Sequence, residues 1–131
     1  MTTHSKVILA LCAIGAAAQL SSAGAQTPSL NRVMREKLDH SKAILGAVVT
    51  SDWTTMDRES RALALAVRDP AWIALIAPEY LKQSDAFQTA LQQLIEASAR
   101  KDLDQAAKAE VALTMSCVDC HRLVTRHRIA K

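Results

Sequence analysis

Between residues 26 and 131 the chain carries one glycine, Gly46, and three prolines, Pro28, Pro70 and Pro78. A sequence so short of turn residues has nowhere to place the Asn-Gly or glycine-rich turns that hairpins need. The stretches between these breaks instead repeat apolar residues at helical spacing. The first helix is expected over residues 28–50, with Thr27 as cap and Pro28 at the first helical position. Leu30, Met34, Leu38, Ser41, Leu45 and Val48 would form its inward face. A second helix starts from Ser51 or Asp52 as cap, turns Trp53, Met56, Ser60, Leu63 and Val67 inward, and ends before Pro70. Residues 71–77 are too apolar for a solvated loop and are expected to fold back over one end of the core. A third helix over residues 79–99 points Phe87, Leu91, Leu94, Ile95 and Ser98 inward, and a fourth runs from the cap Asp102 to about residue 128. Tight turns at residues 50–51 and 100–101 make neighbours antiparallel, so the expected fold is all-α, an up-down-up-down four-helix bundle.

The N-terminus reads as an export signal. Lys6 precedes a largely apolar run, residues 7–20, and small residues follow up to Ala25, where cleavage is expected. The run is shorter than the roughly 18 to 20 residues that cross a bilayer as a helix, which favours removal over a retained anchor. A lipid anchor on Cys12 is disfavoured by Leu11, which stands where a small residue is wanted. The expected division is a signal peptide, residues 1–25, and one domain, residues 26–131. Of the three cysteines, Cys12 then leaves with the signal.

Half of the residues are hydrophobic, 22% are charged and the net charge is +3, which is globular composition. Aromatics make up only 3%, too few to stack bases, and with so mild a charge the chain is not expected to bind nucleic acid.

Chemistry is concentrated at Cys117-Val118-Asp119-Cys120-His121. Two thiols three residues apart on a helix can each add to one vinyl group of a haem, while the adjacent imidazole reaches the iron. Cys117 and Cys120 would then be the haem thioethers and His121 the proximal iron ligand. A structural zinc site needs four ligands, and no second cysteine pair exists. A thioredoxin-like pair belongs at the start of a helix that follows a strand, not late in the last helix of a strandless chain. A disulfide between residues three apart closes almost no loop and stabilises little.

An exported four-helix bundle with Cys-x-x-Cys-His in its last helix resembles the class II c-type cytochromes, the cytochrome c prime group and its low-spin relatives. The resemblance spans residues 26–131, with Cys117, Cys120 and His121 as its specific positions. The chain departs from the common pattern in having Val124 and Thr125 at the third and fourth positions after the motif histidine, where an aromatic and an arginine are usual; arginines stand at Arg122, Arg126 and Arg128 instead.

The resemblance implies a haem c cofactor and a distal side supplied by the first helix. A methionine there closes the iron for electron transfer, whereas an apolar side chain leaves it open to small gases. His121 lies roughly 10 Å from the end of its helix, and Met34 roughly 9 Å into the first, so their levels match. His40 lies deeper, at roughly 18 Å. Met34 is therefore the expected distal iron ligand, with an open or Leu-capped site, His40 and Lys37 as the alternatives. The implied function is that of a periplasmic one-electron carrier without a catalysed substrate reaction; the alternative is a five-coordinate protein that binds nitric oxide or carbon monoxide. Implied partners are periplasmic redox proteins, soluble or peripheral to a membrane, and both monomer and homodimer remain open. Arg122, Arg126, Arg128 and Lys131 suit the negative end of the helix macrodipole and could also ring an exposed haem edge for acidic partners. Glu110 and Thr114 share the His121 face, and solvated or helix-packing positions are expected for both. A haem would also fill core volume that aromatic residues otherwise occupy.

Overall fold

The computed structural model describes residues 30–73 and 77–127, and every regular element among them is an α-helix. In chain order these are α1 (Leu30–Thr50), α2 (Trp53–Ala66), a single turn α3 (Pro70–Ile73), α4 (Pro78–Arg100) and α5 (Leu103–His127). The signal segment, Pro28, Arg128 and Lys131 lie outside the described residues. None of the described helices is long and apolar enough to cross a membrane.

The four long helices close into a ring, α1 beside α2, α2 beside α4, α4 beside α5 and α5 beside α1. Two turns of one design set this order. After α1, Ser51 takes a left-handed conformation at φ 55°, its N–H bonds to the Val48 carbonyl, and the Asp52 N–H bonds back to the Ala47 carbonyl at 2.9 Å. After α4, Lys101 also stands at φ 55°, bonded to Ser98, with Asp102 bonded back to Ala97 at 3.0 Å. Both are Schellman endings, which satisfy carbonyls at the helix terminus. The same aspartates then open the next helix: Asp52 Oδ1 accepts from the Thr55 N–H and Asp102 Oδ1 from the Gln105 N–H, both at 3.0 Å. Each turn reverses the chain within two residues, so α1 and α2, like α4 and α5, run antiparallel.

The core contains Val33, Ile44 and Val48 from α1, Met56 and Leu63 from α2, Tyr80, Phe87, Leu91 and Leu94 from α4, and Leu113 from α5. Alanines at 47, 90, 97, 106 and 109 are buried between them, small enough to let the helix backbones come close. The expected inward faces of α2 and α4 hold for Met56, Ser60, Leu63, Phe87, Leu91, Leu94 and Ser98, all buried. Trp53, Val67 and Ile95 are only partly covered.

Two expectations need correction. Among the described residues the helices number five, because Pro70 starts the extra turn α3, whose Trp72 is buried at 4% exposure, as a segment folded over the core requires. The inward face of α1 is rotated: Val33, Lys37, Ile44 and Ala47 face the core, while Leu38 and Leu45 are about half exposed. Apolar residues occupy two adjacent stripes of this helix, and spacing alone does not say which stripe meets the core.

Candidate functional site: a cleft between α1 and α5

α5 lies along α4 for most of its length and meets α1 only sparsely. The difference opens an apolar cleft of about 280 Å³ between α1 and α5, floored by Trp72 and Phe87. The second apolar stripe of α1 lines one wall with Met34, Leu38, Ser41 and Leu45. The facing wall is α5, from Glu110 through Leu113, Thr114, Cys117 and Cys120 to His121. From Met34 to Leu45, and equally from Glu110 to His121, the walls run for about 16 Å of helix. An outer shelf continues the cleft past Leu38, Val118 and His121 to Arg122 and Arg126. Arg122 also holds Asp119 at 3.2 Å.

Cys117, Cys120, His121 and Met34, the residues expected as thioethers and iron ligands, therefore all line one space. Cys117 and Cys120 are half-buried free thiols on consecutive turns of α5. Burial pushes the Cys120 thiol above its ordinary range; the charge of Lys37 pulls against this and the Cys117 sulfur adds to it. His121 is exposed and reaches both the cleft and the shelf. Met34 stands on the opposite wall, partly buried against the core.

His40 faces elsewhere. Its Nδ1 lies 2.7 Å from Glu59 Oε2, tying α1 to α2 away from the cleft. That bond, with a second from Arg58, holds the Glu59 carboxyl below the usual range.

Three features carried little signal in the sequence. Trp72 stacks obliquely on Tyr80 and on Phe87 at 5.6 Å between ring centres, and its Nε1–H donates to Ser84 Oγ at 3.0 Å. Three of the four aromatic residues thus gather beside the cleft. Lys37 is 8% exposed, and its Nζ rests 3.5 Å from the Trp72 ring centre and 3.9 Å from that of Phe87. Burying an ammonium costs several kcal/mol, of which aromatic faces return about 2 kcal/mol. Desolvation accordingly lowers Lys37 to about 8, although the nearby Cys117 and Cys120 oppose the shift. The clue in the sequence was its spacing, four residues after Val33 and seven before Ile44, inside an apolar stripe.

Glu110 is the third feature. It is 6% exposed, its Oε2 has no hydrogen-bond partner among the described residues, and burial pushes its carboxyl up to about 7. The solvated or packing position expected for it is thus a buried one at the inner end of the cleft, while Thr114 lines the same wall and is exposed.

The donor set fits a covalently attached haem. Two free thiols stand one turn apart, an imidazole follows the second, a thioether faces them, and the lining is apolar. Among the described residues no group of three or more His, Cys, Asp or Glu side chains stands together as a site for a free ion. No protein-family model, curated protein or solved structure matches the chain, so the reading of the cleft rests on its residues and their arrangement.

Proposed function

We propose that the protein is a single-haem c-type cytochrome that carries one electron, exported to the periplasm and similar in plan to the class II cytochromes. The observation that carries this reading is the convergence of Cys117, Cys120, His121 and Met34 on one apolar cleft. When bound, the haem supplies a one-electron redox centre.

The residues of the chain hold and shield that centre. Cys117 Sγ and Cys120 Sγ would fix it by two thioethers, their spacing preventing free rotation. His121 would ligate the iron from α5, and Met34 would be its distal ligand from α1. Trp72, Phe87, Leu113 and the stems of the wall residues exclude water, lowering the local dielectric around the centre. Outside, Arg122 and Arg126 leave a basic shelf beside His121, a surface suited to acidic redox partners.

Leu38 gives the gas-binding alternative some footing, because it borders the same shelf as His121 and could cap an open site. The absorption spectrum separates the two. A carrier shows low-spin iron with the far-red band of methionine ligation in the oxidised state, and Met34→Leu abolishes that band. High-spin iron that takes up carbon monoxide readily in the unaltered protein would favour gas binding.

Covalent attachment is tested first. Protein made with haem-attachment machinery present should retain haem through denaturing electrophoresis, and Cys117→Ser with Cys120→Ser should lose it. A colourless periplasmic product, or haem retained without both thiols, would falsify the reading.

A further inference from the structure

The wall that faces His121 carries a second possible donor. Lys37 starts one turn deeper than Met34 and next to Leu38, whose side chain shares the outer shelf with His121. Helical side chains lean toward the N-terminus of their helix, which brings the long Lys37 chain back toward the level of Met34. Its Nζ has no hydrogen-bond or ion-pair partner among the described residues, only the faces of Trp72 and Phe87. Among the described residues the Cys117 and Cys120 thiols act on its charge, and Glu110 lines the same cleft without bonding to it.

The other basic groups of α1 near this wall are differently engaged. Lys42 is 64% exposed and bonds Asp39 at 3.2 Å, and His40 is held by Glu59. A buried amine with no ion-pair partner among the described residues thus lines the same apolar cleft as a histidine that follows two thiols.

We infer that Lys37 is a second distal ligand of this site, its Nζ taking the sixth coordination position whenever the Met34 thioether leaves it. The inference rests on the haem reading above. In the exchange the Met34 sulfur–iron bond breaks and the Lys37 nitrogen–iron bond forms. The ammonium proton passes to water through the open side of the cleft, and no electron moves. Trp72 and Phe87 hold the amine in reserve, so loss of Met34 does not by itself expose the iron to small gases.

The test uses the haem-loaded protein and reads electron paramagnetic resonance, the absorption spectrum and the rate of carbon monoxide uptake. Met34→Ala should lose the methionine band yet remain low-spin, with a nitrogenous sixth ligand and slow carbon monoxide binding. Met34→Ala with Lys37→Ala should lose the low-spin signal and bind carbon monoxide fast. Met34→Ala with Lys37→Arg should behave like that double variant, because arginine keeps the charge over the rings but does not release its proton. This second pair guards against misfolding when the ring contacts are removed. An unaltered protein already ligated by nitrogen, and opened by Lys37→Ala alone, would overturn the exchange, because Met34 would then not be the ligand displaced.

High-spin iron in Met34→Ala, with the same carbon monoxide rate as both double variants, overturns it while leaving the haem reading intact. Absence of covalent haem from the unaltered protein overturns both.

Discussion

The two halves of α5 belong to the same helix and meet different surroundings. Its first half presents Ala106, Ala109 and Leu113 to α4, all buried to within 2% exposure, beside two Schellman turns that lock one end of the bundle. Its second half presents Cys117, Cys120 and His121 to a cleft that α1 does not fill. Small residues let two helices approach until little space remains. Leu38, Leu45 and Val118, at the edges of the cleft, stay substantially exposed instead. The contrast shows where this sequence concentrates its packing: on the closed end, which fixes the helices, while the other half of α5 lines a cleft.

This contrast predicts unequal responses to the same truncation. Leu94→Ala, at a fully buried position, should cost about 3 kcal/mol in urea denaturation, the range for a core leucine. Leu45→Ala at the cleft edge should cost the chain under about 0.5 kcal/mol, as for exposed positions. Equal losses would mean that the two ends are packed alike.

Glu110 sits where the closed half gives way to the cleft, and pH tests it. Its folded carboxyl holds a proton up to about 7, whereas the ordinary value is 4.5. Between these values the folded chain binds more protons than the unfolded one, so this group makes stability fall as pH rises and leaves its full cost in place above 7. Glu110→Gln should remove the decline and raise stability at pH 8 by on the order of 1 kcal/mol, because the buried amide also lacks a partner. An unchanged slope of stability against pH between 5 and 8 would show that water or a neighbour relieves the carboxyl.

A modest gain is expected in the closed end. Ser51 and Lys101 hold left-handed backbone that costs a side-chain-bearing residue about 1 kcal/mol. Ser51→Gly and Lys101→Gly should each raise the denaturation midpoint by a corresponding amount. A loss of stability instead would mean that their side chains contribute more than the turn geometry shows.

Much of the fold was legible because it depends on local chemistry. Asp52 and Asp102 cap helices as their residue type and position suggest, and the helix limits fall within a few residues of the breaks set by Pro70, Pro78 and the two turns. The spacing of Cys117, Cys120 and His121 is likewise a local property, readable as soon as the segment is taken as helical. Met34 could be matched in level to His121 by counting residues, since the rise of a helix is constant.

The rest depended on the partners of each helix. Sequence periodicity gave α1 an apolar face wide enough for two stripes, and only packing against its neighbours, chiefly α2, turned Val33 and Ile44 to the core while leaving Met34 and Leu38 to the cleft. The same rotation buried Lys37 over Trp72 and Phe87, residues far from it in the chain. It also sent His40 to Glu59 on α2. The sequence by itself determined that the chain forms helices, where they stop, and that Cys117, Cys120 and His121 stand together on the last of them. Tertiary structure decided which side chains of α1 face that triad, because a helix fixes its own rise and turn but not its rotation against its neighbours.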